Sequence, residues 1–185
     1  HNLWAKRLFY EDSANVPMLL VGARNDERVG YDRIDERLVG WQDVMPTLLD
    51  LAGIDIPETV DGISMVGDQQ RPTLYGEVGE NHSATRMMHD GRFKLIYYPV
   101  GNCVQLFDLQ EDPTEMHDLS GSAEHVEVQQ RLTSQLIDEM YGVDEAWIKD
   151  GALAGLPAED HVALPNRGLS GQRGLHWPPP PLDQS

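Results

Sequence analysis

The sequence predicts a mixed α/β fold, in which a short buried strand and a helix precede a small antiparallel sheet with a second helix. Two observations support this prediction. Residues 16–22 (VPMLLVG) are apolar throughout, which is typical of a strand buried on both faces in a sheet covered by helices. After Arg71 the hydrophobic pattern changes from helical spacing to alternation, which indicates half-buried strands.

The hydrophobic pattern of residues 41–53 predicts an amphipathic helix, which follows a polar, turn-rich loop. Pro46 is tolerated in the first turn of such a helix, where its missing N–H has no intrahelical partner in any case. Gly53 suits the left-handed position just past the helix end. The apolar face consists of Val44, Leu48 and Leu51, with Met45, Leu49 and Ala52 beside them.

Four segments beyond Arg71 have the length and composition of strands, namely residues 73–77, 85–89, 93–98 and 104–109. The pair Asp90-Gly91 stands between the second and the third and is a strong hairpin signal. A helix is predicted next, with Ser122 as its cap and Gly142 as its stop. Its apolar positions recur every four residues, at Leu132, Leu136 and Met140.

Composition excludes several classes of function. There are 14 Lys and Arg against 31 Asp and Glu, so the net charge is −17, which disfavours nucleic acid and anionic membrane surfaces as partners. No run approaches the roughly 20 apolar residues that a membrane span needs. The single cysteine, Cys103, cannot form an internal disulfide, and it leaves the compartment open between periplasmic or secreted and cytoplasmic.

Two groups of polar residues could carry chemistry. Glu77, Glu80 and His82 lie close enough in sequence to ligate a metal, although a polar loop between two strands is the commoner meaning of such spacing. His1 and Lys6 precede the predicted buried strand, and loops that lead into strands often line a site. A lysine there can bind an anion as a point charge, whereas most lysines are simply solvated.

Five pieces of the sequence resemble, in the same order, the C-terminal portion of bacterial sulfatases of the alkaline phosphatase superfamily. In those enzymes a segment similar to residues 1–22 follows an Asp-His-Gly metal-binding motif. The pieces are HNLWAKRLFYEDSANVPMLLVG, DVMPTLLDLAGI with IPETVDGIS, LYGE, MMHDGRFKLIYYP and QLFDLQEDPTEMHDL. Each piece is weak alone, but five in order over residues 1–140 form a specific signal.

The resemblance implies a division of the chain into three parts. Residues 1–70 would end the α/β sandwich of an alkaline-phosphatase-like fold. Residues 71–145 would form the smaller C-terminal subdomain, an antiparallel sheet with a packed helix. Residues 146–185, rich in Gly and Pro, would form an irregular tail. We therefore expect the chain to be part of an arylsulfatase-like enzyme and to be inactive by itself.

The resemblance also assigns roles to individual residues. Lys6 would contact a sulfate oxygen, and His1 would hydrogen bond the substrate or protonate the leaving group, unless it is structural. Glu77 and His82 would approach the active-site cleft and contact substrate. Three further matches are interpreted as structural: Tyr10, Glu11, which can anchor its loop, and Asp43, which can cap the helix. Asn15 replaces an arginine common in the family.

The nucleophile of the family, a formylglycine, and its calcium ion are not expected in this chain. Cys103 lies in GNCVQL, which lacks the formylglycine motif, so it is interpreted as a half-buried strand residue. The calcium ligands would lie upstream of His1. The implied substrate is a small-molecule or carbohydrate sulfate ester. Two alternatives remain open: a phosphonate or phosphate monoester hydrolase of the same superfamily, and a non-enzymatic acidic binding module.

Overall fold

The computed structural model describes residues 8–23 and 26–158. Within these residues, three α-helices, three 3₁₀ turns and six strands are assigned. In chain order they are α1 (Glu11–Ala14), a 3₁₀ turn (Trp41–Asp43), α2 (Val44–Leu51), β1 (Leu74–Val78), a 3₁₀ turn (Asn81–Ser83), β2 (Thr85–His89), β3 (Phe93–Tyr98), β4 (Cys103–Asp108), α3 (Val126–Glu139), a 3₁₀ turn (Gly142–Trp147), β5 (Ile148–Lys149) and β6 (Ala152–Leu153). None of the helices within this part of the chain is long and apolar enough to cross a membrane.

Strands β1 to β4 form one antiparallel sheet in sequential order, which confirms the predicted antiparallel sheet. The bounds of β2 and β3 are those predicted, and β1 and β4 are each displaced by one residue. The Asp90-Gly91 turn joins β2 to β3 as expected. Asp90 Oδ1 accepts hydrogen bonds from the backbone N–H groups of Arg92 and Phe93, and Gly91 adopts a left-handed φ of 95°.

Helix α3 covers one face of the sheet and forms the main core with it. Leu132, Leu136 and Met140 are buried, so the predicted four-residue spacing is confirmed. The helix starts at Val126, however, and Ser122 does not cap it. Ser122 Oγ lies 3.1 Å from His125 Nδ1 instead, because a residue four positions before the helix cannot reach its first free N–H groups.

The other face of the sheet is covered by the segment of residues 9–11. A Cβ built on Gly76 would lie only 2.8 Å from the Phe9 ring, so the two are in close contact. The ring of Tyr10 meets Phe107 edge-on at a centroid distance of 5.9 Å. Both faces of the sheet are therefore protected, one by a helix and one by residues from the start of the described chain.

The predicted strand over residues 16–22 is wrong for the described chain. No strand is assigned there, and Leu19 is 86% exposed and Val21 is 80% exposed. A fully apolar strand is buried only when other strands flank it and helices cover it, and no described strand lies beside this segment. The apolar composition of residues 16–22 is typical of a buried segment, but the described residues leave Leu19 and Val21 exposed.

Helix α2 lies within the predicted range and ends at Leu51, and Gly53, just past its end, has the expected left-handed φ of 69°. Its predicted apolar face is open in the described chain, since Leu48 is 59% exposed. The buried side of the helix carries Pro46 and Thr47. The hydroxyl of Thr47 accepts a hydrogen bond from the N–H of Met65 at 2.8 Å, which ties the following loop to the helix.

Assigned elements continue past residue 145, in the segment that the sequence predicted to be an irregular tail. Trp147 is buried in the core, and β5 and β6 form a short hairpin behind it. Leu156 then pairs with the segment after β3, because its N–H donates to the carbonyl of Pro99 at 2.7 Å. This segment forms regular structure despite its Gly-rich composition, because Trp147 packs into the core. The rest of the predicted tail, residues 159–185, lies outside the described residues.

Candidate functional site

The predicted site residues fall into two sets. His1 and Lys6 lie outside the described residues. Glu77 and His82 lie on the β1–β2 hairpin, which the structure describes in full. The local geometry therefore concerns this hairpin and the segment of residues 9–11, which begins three residues after Lys6.

Glu77 is an exposed carboxylate on β1 and lies between two tyrosines. Tyr75 donates to Glu77 Oε2 at 3.3 Å, and Tyr141 donates to Glu77 Oε1 at 3.1 Å. The hydrogen bond to the carboxylate raises the pKa of the Tyr141 phenol. Burial raises the pKa of Tyr75 in the same direction. Together they present a polar surface that can bind hydroxyl groups.

The hairpin is held in place by a buried ion pair. Arg86 on β2 makes a two-point contact with Asp144: Nε donates to Oδ2 at 2.5 Å and Nη2 donates to Oδ1 at 2.9 Å. Its guanidinium carbon also lies 5.2 Å from the centre of the Trp147 ring. The remaining terminal nitrogen of Arg86 donates to backbone carbonyls at the two ends of the hairpin loop, those of Val78, Gly79 and Thr85.

His82 lies in the 3₁₀ turn at the tip of the same hairpin and is exposed. The sequence analysis also considered a metal site made of Glu77, Glu80 and His82. Among the residues that the structure describes, no three His, Cys, Asp or Glu side chains converge as metal ligands. The metal site considered for Glu77, Glu80 and His82 is therefore not formed by these three side chains.

Lys94 forms a second polar cluster, which sequence reasoning missed. Its side chain lies on the sheet face covered by residues 9–11 and is fully buried. The Nζ atom donates to Glu11 Oε1 at 2.6 Å and lies 2.6 Å from Glu115 Oε1, a close ion pair without hydrogen-bond geometry. Glu115 Oε2 in turn accepts the backbone N–H of Glu11 at 2.6 Å. One cation thus joins two carboxylates that are distant in sequence.

The predicted role of Glu11 as an anchor is confirmed by these contacts. Asn15 contributes to the same loop, because its amide donates to Glu11 Oε2 at 2.8 Å. Tyr10 is structural as predicted: its hydroxyl donates to Gln105 at 2.7 Å. A signal for Lys94 was present in the sheet pattern, since its face also carries Ile96, so a lysine there requires partners.

Two further predictions need correction. Asp43 does not cap α2 through its side chain. Its buried carboxylate instead reaches back to the N–H of Gly40 at 2.7 Å and accepts the N–H of Ile63 at 2.9 Å, with Arg71 as its ion-pair partner. This arrangement closes the 3₁₀ turn before the helix. Cys103 is the first residue of β4 and is exposed rather than half-buried, whereas the strand becomes buried only at Leu106 and Phe107.

A polar cavity of about 290 Å³, which the sequence did not predict, lies between residues 33–37 and 66–70. Arg37 organises it by donating to the carbonyls of Met65 and Gly67 at 2.7 and 2.8 Å. The same guanidinium pairs with Asp35 and lowers the pKa of that carboxyl to about 2. These arginine contacts bind two loops to each other.

Comparison with known proteins decides the family. Residues 1–141 match the family described as N-sulphoglucosamine sulphohydrolase, C-terminal. The chain belongs to this family. Membership confirms the resemblance to sulfatases that the five sequence pieces indicated.

Several relatives of this chain are named as sulfatases. The chain is 29% identical to an arylsulfatase of Clostridium perfringens over 153 residues, covering 80% of this chain and 32% of the relative. It is 32% identical to a Delta 4,5-hexuronate-2-O-sulfatase of Bacteroides thetaiotaomicron over 133 residues, covering 65% and 27%. The solved structure of a 2-O GAG sulfatase matches with a TM-score of 0.52 and 27% identity, covering 58% of this chain and 26% of that chain. The chain thus spans about a third or less of the length of these relatives.

Proposed function

We propose that this chain is the C-terminal portion of a sulfatase that hydrolyses a sulfate ester, ROSO₃⁻ + H₂O → ROH + HSO₄⁻. The observation that carries the proposal is the family match over residues 1–141, which includes the segment with His1 and Lys6. The names of relatives in two comparisons, a hexuronate-2-O-sulfatase and a 2-O GAG sulfatase, favour a sulfated carbohydrate as the substrate.

In this proposal Lys6 binds a sulfate oxygen. Cleavage of the ester builds negative charge on the leaving oxygen and on the sulfate oxygens, and a cation placed in advance stabilises that charge. His1 would donate the proton that the leaving oxygen needs. Formylglycine and calcium, which the family resemblance implies, would be supplied by a region upstream of His1.

Glu77 and the tyrosines beside it would contact the sugar rather than the sulfate. A carboxylate repels an anionic sulfate, whereas it accepts hydrogen bonds from hydroxyl groups. The Tyr141 hydroxyl, 3.1 Å from Glu77, can rotate to donate to a ligand or to the carboxylate. His82 at the hairpin tip would extend the same surface.

The test uses the full-length enzyme and compares Lys6→Ala with the wild type on 4-nitrophenyl sulfate and on a panel of sulfated disaccharides. We expect Lys6→Ala to lower kcat about 10²- to 10³-fold, the usual effect of removing one charge-stabilising donor. Lys149→Ala is the matched control, because Lys149 is an exposed lysine on β5. Near-normal turnover by Lys6→Ala would refute the role of Lys6, and no hydrolysis of any sulfate ester by the wild type would refute the proposed activity.

A further inference from the structure

The polar cavity that Arg37 organises has a fixed floor. Nε of Arg37 donates to Asp35 Oδ1 at 2.9 Å, and Nη2 donates to Asp35 Oδ2 at 2.6 Å. Nη2 also donates to the carbonyl of Met65, and Nη1 donates to the carbonyls of Gly67 and Gln69. All the N–H donors of this guanidinium are therefore used within the protein, so Arg37 holds the two loops together and has no donor left for a ligand.

Three other polar side chains line the same cavity, namely Arg33, Asp68 and Gln70. In the described part of the chain, none of these side chains makes a hydrogen bond. Arg33 Nη2 lies 3.9 Å from Asp35 Oδ2, which is too far for a hydrogen bond. Arg33 and Asp68 thus carry opposite charges into one cavity without pairing with each other.

The side chain of Arg33 is partly ordered by its own loop. A Cβ built on Gly30 would lie only 3.2 Å from Cδ of Arg33, so the aliphatic part of the arginine lies against the glycine. The side chain as a whole is still 51% exposed. A donor that is held in this way loses less conformational entropy when a ligand binds.

The charges of the cavity favour a neutral ligand with many hydroxyl groups. Two arginines and two aspartates line it, so its formal charge is zero in a chain of net charge −17. An anion bound to Arg33 would also face Asp68, and a cation bound to Asp68 would face Arg33. A sugar hydroxyl both donates and accepts hydrogen bonds, so one ring can accept from the guanidinium and donate to the carboxylate.

The shapes of the side chains and of the cavity agree with a sugar ring. Guanidinium and carboxylate groups each present two hydrogen-bonding atoms side by side, which suits two adjacent hydroxyl groups. The amide of Gln70 adds one donor group and one acceptor. The volume of about 290 Å³ is near the lower end of the range of about 300–1,000 Å³ that is usual for small-ligand sites.

We propose that this cavity binds a neutral sugar residue through its hydroxyl groups, with Arg33, Asp68 and Gln70 as the binding residues. The proposal goes beyond the sulfatase activity, which assigns no role to the cavity. The site is also separate from the surface around Glu77, because it lies between two loops that precede β1.

The test measures binding of three neutral probes to the full-length protein by saturation-transfer NMR: methyl glucoside, methyl galactoside and methyl N-acetylglucosaminide. We expect at least one of them to bind with a dissociation constant on the order of 1 mM, the ordinary affinity of a ligand of this size. Arg33→Ala and Asp68→Ala should each weaken binding by about 10-fold or more, because each removes hydrogen bonds to a charged group. Arg33→Lys keeps the charge but loses the paired donors, so it should recover only part of the affinity.

The controls separate loss of the site from loss of the fold. Asp61→Ala removes an exposed aspartate outside the cavity and should leave binding unchanged. The melting temperatures of Arg33→Ala and Asp68→Ala should equal that of the wild type, since neither side chain makes a hydrogen bond in the described chain. Glucuronate and inorganic sulfate are tested beside the glycosides to detect an anion site.

Three results would overturn the proposal. The first is that none of the glycosides binds at millimolar concentration. The second is that they bind equally well to the wild type, Arg33→Ala and Asp68→Ala, which would place the sugar elsewhere on the protein. The third is binding of glucuronate or sulfate alone, which would make Arg33 an anion site. Because no sulfate ester is used, these results are independent of whether the protein is an active sulfatase.

Discussion

Replacing Asp144 by alanine should release the hairpin that carries Glu77 and His82. The change removes both acceptors of Arg86, at 2.5 and 2.9 Å, and leaves a guanidinium that is 4% exposed without its carboxylate. Breaking a buried ion pair in this way typically costs about 3–5 kcal/mol. Since about 1.4 kcal/mol is a factor of ten, the opening equilibrium of the hairpin should rise by roughly two to three and a half powers of ten.

Hydrogen exchange followed by mass spectrometry measures this directly in the protein, because the protection of the β1 and β2 amides reports local opening. Arg131→Ala provides the control. It removes an ion pair with Asp90 at the surface, where Arg131 is 46% exposed, so it should change protection by less than about 1 kcal/mol.

A double variant tests the physical cause. Arg86→Met combined with Asp144→Leu removes both buried charges and fills the space with apolar atoms, and such replacements are often neutral. We expect it to recover most of the protection that Asp144→Ala loses. Two outcomes would refute the reasoning: wild-type protection in Asp144→Ala, or equal losses in the single and double variants.

Two further predictions concern other parts of the chain. Gly76→Ala should lower the free energy of unfolding by about 1–3 kcal/mol, and with it the melting temperature, because the new Cβ would lie 2.8 Å from the Phe9 ring. Gly67→Ala is the control and should leave the melting temperature unchanged, because the nearest atom to its Cβ would be 3.6 Å away. Arg37→Ala should raise the pKa of Asp35 from about 2 toward its ordinary value of about 3.9, as followed by carboxyl-carbon NMR. In the wild type the lowered pKa of Asp35 stabilises the folded protein above about pH 4, and this stability is lost as the pH falls toward 2. An unchanged Asp35 titration in Arg37→Ala would show that Arg37 does not cause the lowered pKa.

The sheet could be predicted from the sequence because its signals are local. Alternation within each strand and the Asp90-Gly91 turn specify four neighbouring strands without any knowledge of distant residues. The same is true of α2, whose end is marked by Gly53. The start of α3 was misplaced because Ser122 is a good capping residue by type, while the chain turns once more before the helix begins.

The parts that could not be predicted depend on distant partners. Lys94 shares its sheet face with Ile96, but no local pattern identifies its partners Glu11 and Glu115, which meet across 104 residues of chain. Residues 16–22 show the opposite error: their composition was read as buried, but burial needs neighbouring strands. For Glu77 and His82 the sequence indicated a polar loop between two strands, and the structure adds the Tyr141 contact and the Arg86 support.

The attachment of residues 9–11 to the sheet also has a consequence for the order of folding. The partners of Tyr10 and Glu11 lie 83 to 104 residues further along the chain, whereas β1 to β4 are joined by short turns. Short-range pairings form first because closing a long loop costs more entropy. During synthesis residues 9–11 therefore leave the ribosome long before the sheet that they pack against exists. They can bind to the sheet only after the loop with Glu115 has emerged.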